Sequence, residues 1–304
     1  MSNLKINIEA LKQGDSRQLA RALSLVENNL PEGNELLSQL DFEKQVPLIG
    51  ITGPPGAGKS SLVNALIDFL IKSNKKVGII AVDPTSPFNF GSLLGDRIRM
   101  ANHFNNSDVF IRSVASRGSL GGLSSRIYEM TDVMKNAGFD VIFLETVGVG
   151  QSEVEIAGLA DTTVVVVVPE AGDEVQTLKS GLMEIADIFV VNKSDREGAD
   201  AFIKNLNNLV HQKPAGDWQI PVVKTIATNG TGIESLWESL QKHQSVNSNQ
   251  TRKIHLMVEK AYHLIQSYKM KDIDKTVLFK SLEQASNKTG FNLYQYLYTS
   301  YLNQ

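Results

Sequence analysis

The sequence predicts an α/β fold built on a doubly wound, mainly parallel sheet. Three observations carry that reading. Seven short apolar runs lie between residues 46 and about 240, most of them apolar on successive rather than alternate residues, as expected of strands buried on both faces. Amphipathic stretches separate the runs, so the connections are helical crossovers. A glycine-rich phosphate-binding signature stands between the first run and the first amphipathic stretch.

Residues 1–45 read as a polar helical extension. Asp15 or Ser16 caps a helix that carries Leu19, Ala22, Leu23, Val26 and Leu30 at spacings of three and four. Pro31-Glu32-Gly33 breaks it, and a second short helix is expected over 34–44. The strand runs are VPLIGIT (46–52), KVGIIAV (76–82), DVFIRSV (108–114), DVIFLET (140–146), TTVVVVV (162–168), IADIFVV (185–191) and IPVVKTI (220–226). Helices are expected over 59–73, 121–137, 174–184 and 198–212. Residues 46–242 thus form the sheet domain.

The polar stretch 243–250 reads as a linker or a helix end, and 251–304 contains no strand run. There Ile254, Met257, Val258, Ala261, Leu264, Ile265 and Tyr268 trace one helical face. Two further helices are expected over 274–286 and 290–302. Six of the seven tyrosines, at 262, 268, 294, 296, 298 and 301, lie in this tail. Residues 243–304 therefore read as a C-terminal helical arm. Its aromatic side chains suit an interface between chains and packing on the arm's own domain about equally.

Composition excludes several classes. The 304 residues contain no cysteine, so a disulfide framework, a thiolate metal site and a cysteine nucleophile are all ruled out. Thirty Lys+Arg against thirty-three Asp+Glu give a formal net charge of -3, with no global footprint for nucleic acid. The N-terminus lacks the apolar core of a signal peptide, and no apolar stretch reaches the roughly 18 residues of a membrane span. A cytoplasmic protein without membrane or nucleic-acid partners is the expectation. The five histidines, His103, His211, His243, His255 and His263, show no metal-binding pairing and read as surface or interface residues.

The chemistry concentrates in two motifs. Gly53-Pro54-Pro55-Gly56-Ala57-Gly58-Lys59-Ser60 matches G-x-x-x-x-G-K-[ST] in its required strand–helix context, which makes the predicted fold a P-loop NTPase. The glycines let backbone N–H groups curl around phosphate oxygens, and the helix opening at Lys59 turns its positive end to them. Lys59 is expected at the β- and γ-phosphates, the Ser60 hydroxyl at Mg²⁺, and the loop contacts extend to Ser61. The second motif, Asn192-Lys193-Ser194-Asp195, follows the run IFVV. N-K-x-D in a P-loop protein reads guanine: a carboxylate accepts both the ring N1–H and the exocyclic amine, a donor pair adenine lacks. A buried Asp195 would be left unpaired by ATP, and such sites discriminate strongly. Asn192 and Lys193 would brace the base and the phosphate loop. Ile226, Ala227 and Thr228, within Thr225–Gly230 after the last run, are placed to offer backbone groups to the base.

Three acids stand near the expected phosphate end of the sheet: Asp83 after KVGIIAV, Asp96 within GSLLGDRIRM, and Glu145 at the end of DVIFLE. Ligands of parallel α/β folds bind at the carboxyl ends of strands, so these acids, Asp83 and Glu145 above all, are candidates to hold Mg²⁺; a helix cap is the alternative for any one of the three. Gly148 is placed to donate its N–H to a γ-phosphate. The common Asp-x-x-Gly of GTPases is here Glu-x-x-Gly. Segments 115–126, with Arg117 and Arg126, and 169–179 read as mobile switch loops or as plain solvated loops. Gln151 is the nearest analogue of a water-positioning glutamine, at an unusual offset.

Together GPPGAGKSSLVNAL, AVDPTSP, GSLLGDRIRM, RSVASRGSLGGLS, the block from Glu145 to Asp195 and TGIESLW resemble the methylmalonyl-CoA mutase-associated GTPase family of the MeaB/ArgK type, from about residue 15 to 240. The resemblance implies a homodimeric GTPase that acts as a chaperone for an adenosylcobalamin-dependent acyl-CoA mutase, gating cofactor delivery and protecting or reactivating the enzyme. It implies GTP/GDP and Mg²⁺ as ligands, with Lys59, Glu145 and Gly148 at the reaction. It places Ser60, Asp83, Asp96 and Glu145 around the metal, and Asp195 on guanine. It also implies a further switch around Asp173, Gln176 and Lys179, and a C-terminal dimerisation arm. Two departures stand out. Ile226-Ala227 stands where many members carry Ser-Ala, removing a hydroxyl contact, and Pro87-Phe-Asn-Phe90 replaces a more polar stretch. Competing readings are a kinase of amino-acid-binding transport proteins, which N-K-x-D disfavours, and a nickel metallochaperone, which the missing Cys/His cluster disfavours.

Overall fold

The computed structural model describes residues 6–83, 100–115, 126–146, 152–169, 181–212, 218–246, 250–287 and 290–302. Asp96, Arg117, Gly148, Gln151, Asp173, Gln176 and Lys179 lie outside the described residues, as do residues 174–180 of the helix expected over 174–184. The chain divides into two compact units, Met1–Leu256 and Met257–Gln304.

The first unit opens with helices α1 (Ile8–Lys12), α2 (Ser16–Glu27) and α3 (Pro31–Leu37). Asp15 caps α2: its Oδ1 accepts from the N–H groups of Arg17 at 2.8 Å and Gln18 at 2.9 Å, a device worth about 1 kcal/mol. The second helix is not the expected 34–44. α2 stops at Glu27, closed by Asn28 and the left-handed Asn29 (φ +53°), and Pro31 opens the next helix, because its fixed φ and missing N–H suit a first helical turn.

Among the described residues seven strands follow: β1 (Leu48–Thr52), β2 (Val77–Asp83), β3 (Val109–Ala115), β4 (Val141–Glu145), β5 (Thr162–Val167), β6 (Ile188–Val191) and β7 (Val222–Lys224). They form one sheet in the order β3-β2-β4-β1-β5-β6-β7, and every pairing is parallel. Successive residues of each run pack on opposite faces, which explains why the runs are apolar without alternation. Ile49, Ile51, Val164 and Val166 share a core with α4 (Lys59–Lys72). Leu48, Ile142 and Leu144 share another with α1, α2 and α5 (Ile127–Lys135). The N-terminal extension is thus a sheet cover, with Leu11, Leu19, Ala22 and Leu23 all at 1% exposure or less. Short α6 (Ser152–Ala157) packs on β1 and β5, and α7 (Ala199–His211) buries Phe202, Ile203, Leu206 and Val210 against β5 and β6.

Helix α8 (Ile233–Val246) corrects the histidine expectation. His243 is buried, not on the surface. It follows Leu236 and Leu240 at spacings of four and three, so it falls on the face that α8 lays on the sheet. Its Nδ1 lies 2.8 Å from Thr162 Oγ1, its Nε2 3.3 Å from Asp187 Oδ1, and the Trp218 ring meets it edge-on at 4.8 Å. His103 is also buried, beside Asp68. His211 and His255 are exposed and His263 is half-buried.

In the second unit, α9 (Gln250–Lys269, begun in the first unit) carries the expected helical face, α10 (Lys275–Ser286) matches the helix expected over 274–286, and α11 (Leu293–Leu297) with the π-helical turn Tyr298–Leu302 covers the one expected over 290–302. Among the described residues no helix is long and apolar enough to cross a membrane.

Candidate nucleotide site

The site is assembled at the carboxyl ends of β1, β4 and β6, beside the centre of the sheet. β1 delivers the glycine loop. Gly53 has φ +135°, and a Cβ there would stand 2.1 Å from the Val166 carbonyl oxygen, so only glycine lets the loop leave β1 this close to β5. Gly58 has φ +87° and a Cβ would meet Asn192 Nδ2 at 2.4 Å. Lys59 and Ser60 open α4 and are both buried, while Pro55, Gly56 and Ser61 are exposed. Lys59 Nζ donates to the carbonyls of Gly53 (2.7 Å) and Pro54 (3.0 Å).

β4 delivers Glu145, which is 4% exposed and accepts a 2.6 Å hydrogen bond from the Ser60 hydroxyl through Oε1. Hydroxyl and carboxylate are therefore joined directly, from the first turn of α4 to the last residue of β4. Asp83 closes β2 in the same row of strand ends; its side chain lies outside what the structure describes. Among the described residues no three His, Cys, Asp or Glu side chains cluster closely enough to hold a metal by themselves.

β6 delivers the second motif. Asn192 is 2% exposed and ties three segments together. Its Nδ2 donates to Ala57 O at 2.9 Å, while its Oδ1 accepts from Thr225 Oγ1 at 3.2 Å and from the Ala227 N–H at 3.1 Å. Lys193, in a left-handed conformation at φ +54°, sends Nζ to Gly56 O at 2.8 Å. The Ser194 N–H and hydroxyl both donate to Thr225 O. The turn after β7 is closed by an Ile226–Thr231 bridge and leaves Thr228 exposed. Nearby, Lys224 pairs with Asp200 and holds that exposed carboxyl below the usual carboxylate range.

One expectation is corrected here. Asp195 is exposed, because it lies in the turn before α7 begins at Ala199. A buried, orphaned carboxylate is therefore not the starting state; a bound base would have to cover it first. Two features escaped the sequence reading. Thr225 serves through its side chain as well as its backbone. Thr52 and Thr146, buried at the ends of β1 and β4, share a hydroxyl–hydroxyl hydrogen bond of 3.0 Å. The signal for the second was present: the runs VPLIGIT and DVIFLET both end in threonine.

A parallel sheet whose glycine loop is braced by Asn192 and Lys193 of an N-K-x-D turn defines a P-loop GTPase. Residues 19–281 match the family described as methylmalonyl Co-A mutase-associated GTPase MeaB. A Pyrococcus abyssi protein named as a GTPase is 50% identical over 242 residues, 78% of this chain and 75% of that protein. GTPase ArgK of Escherichia coli is 38% identical over 251 residues, 79% of this chain and 75% of that protein. The crystal structure of an LAO/AO transport system kinase superposes with a TM-score of 0.69 at 27% identity, covering 91% of this chain and 89% of that one. The chain belongs to the MeaB family of GTPases.

Proposed function

We propose that this GTPase serves an adenosylcobalamin-dependent acyl-CoA mutase in the cytoplasm, with methylmalonyl-CoA mutase the first candidate, gating cofactor loading and protecting or reactivating the mutase. The observation that carries the reading is the match of residues 19–281 to a family described by its association with that mutase.

At the site, Lys59 exchanges the carbonyls of Gly53 and Pro54 for the β- and γ-phosphates of GTP. Ser60 and Glu145, with Asp83 and Asp96, hold Mg²⁺; a buried carboxylate facing a hydroxyl is a hard-oxygen donor set of the kind this cation takes when phosphates complete its shell. When bound, the cation neutralises charge on the phosphates. Asp195 selects guanine, with Ala227 and Thr228 beside the base, and Gly148 meets the γ-phosphate. The sequence offers no evident strong hydrolytic base, so turnover is slow alone and rises when the partner completes the site.

The chain acts as a homodimer through its C-terminal arm, 243–304. Supporting this, α9 and α10 expose Met257, Tyr262, Ile265, Tyr268, Val277 and Phe279, each at 60% or more. Isolated surface apolar residues are ordinary, but this many on adjoining helices mark an interaction face.

A second reading, phosphotransfer to a transport protein, is favoured by the description of the structural relative as a transport system kinase. The experiment is GTP turnover by the purified chain with and without purified methylmalonyl-CoA mutase. Stimulation and a stable complex are expected. A rate already maximal alone, with no complex, overturns the mutase reading; stable transfer from labelled ATP to an acceptor protein favours the kinase.

A further inference from the structure

We infer that Thr52 and Thr146 form a positioning device for GTP hydrolysis: their hydroxyl pair sets where Glu145 stands relative to Ser60. The argument starts from register. β1 and β4 are parallel neighbours with Ile51 opposite Glu145, and the backbone ladder between them closes with the Thr146 N–H donating to Ile51 O at 3.1 Å. One step further, Thr52 stands opposite Thr146. Side chains of successive strand residues point to opposite faces. Ile51 packs in the core shared with α4, and Glu145 reaches Ser60 on that same helix. Thr52 and Thr146 therefore point to the other face, where the Thr146 hydroxyl donates to Thr52 Oγ1 at 3.0 Å, with exposures of 1% and 0%.

The hydroxyl bond thus takes over where the backbone ladder stops. It lies at the one place where both ends matter: Thr52 is the last residue before the glycine loop, and Thr146 is the residue after the carboxylate. An oxygen–oxygen hydrogen bond holds the strand ends closer than methyl groups can, since carbon atoms pack at about 3.5–4.0 Å. Replacing the pair by valines keeps β-branched shape and burial but spreads the ends by a fraction of an ångström. A shift of about half an ångström stretches the 2.6 Å contact between Ser60 and Glu145 beyond the usual length of an O–H···O hydrogen bond. A misplacement of about 1 Å costs on the order of a hundredfold in rate, so half of that costs about tenfold.

The inference rests on the placing of Glu145 at the reaction proposed above, and the experiment separates the two. Full-length Thr146→Val, Thr146→Ser, the double variant Thr52→Val/Thr146→Val, and Glu145→Ala are compared for kcat and KM in GTP hydrolysis, GDP affinity and thermal midpoint. A lone Thr146→Val leaves the buried Thr52 hydroxyl unsatisfied and lowers stability; the double variant replaces both partners by apolar groups of like shape and recovers it. We expect the double variant to melt near the parent, to bind GDP within about twofold, and to turn over about tenfold more slowly. Thr146→Ser, which keeps the hydroxyl, is expected to retain most of the parent's kcat. A folded double variant with the parent's kcat overturns the inference. So does a Thr146→Ser variant as slow as Thr146→Val, or a loss that falls equally on GDP affinity. If Glu145→Ala hydrolyses GTP normally, the placing of Glu145 and the inference fall together. If it is slow while the valine pair is not, the inference alone falls.

Discussion

Replacing Asn192 by alanine tests the brace on which the site is built. The side chain is 2% exposed and makes three hydrogen bonds, to Ala57 O, Thr225 Oγ1 and the Ala227 N–H. Ala57 and Thr225 are fully buried and Ala227 is 9% exposed, so water has little access to the groups left behind. The Thr225 hydroxyl can rotate to another acceptor. The Ala57 carbonyl and the Ala227 N–H cannot, and an unsatisfied buried group costs about 1–3 kcal/mol. With partial entry of water into the space vacated by the amide, the total comes to about 2–4 kcal/mol. For a unit of this size that lowers the melting point by roughly 5–15 °C. Because the same amide ties the glycine loop to the turn after β7, nucleotide affinity falls as well. The assay is thermal unfolding followed by tryptophan fluorescence, since Trp218 and Trp237 both pack against the core around α4, together with GDP titration. Asn192→Asp sharpens the test: it keeps the acceptor for Thr225 and Ala227 but turns a second oxygen toward Ala57 O. It is expected to lose stability too. A midpoint within about 1 °C of the parent in Asn192→Ala, with unchanged GDP affinity, would refute the reasoning.

Two further predictions bear on the frame around the site. Gly53→Ala drives a methyl to 2.1 Å from Val166 O at φ +135°, so it is expected to abolish GDP binding or yield insoluble protein. Gly56→Ala meets nothing within 4 Å and carries only the conformational strain of its φ of +79°, about 1–2 kcal/mol; equal behaviour of the two variants would show that crowding is not the constraint. His243→Phe removes the partner of Thr162 and Asp187 at the far end of the strands and is expected to cost about 2–3 kcal/mol of stability. GDP affinity stays within about twofold; an unchanged melting curve would argue against a structural role for the histidine.

Much of the fold was legible because the physics that selects it is local in sequence. Runs apolar on successive residues mean strands covered on both faces, and each of the seven runs became a strand of one parallel sheet. Helix starts were legible where a side chain closes its own turn, as Asp15 does at α2. Pro31 was read only as a breaker, because a proline that cannot continue a helix is also suited to begin one; α2 had already stopped at Glu27. His243 was misread because histidine alone carries no sign of burial, although its spacing from Leu236 and Leu240 did.

The sequence by itself determined the glycine loop, the N-K-x-D turn and the acids that close β2 and β4, since such motifs are particular residues at particular offsets along one stretch of chain. Tertiary structure decided what those residues touch. Strand order brought Glu145 to Ser60 across 85 positions and Asn192 to Ala57 across 135. Parallel register alone put Thr52 beside Thr146, and the turn before α7 left Asp195 exposed rather than buried. The physical reason is the same in each case. A motif fixes which groups are available, but a hydrogen bond acts over about 3 Å, and only the packing of strands and helices brings groups from distant parts of the chain within that reach.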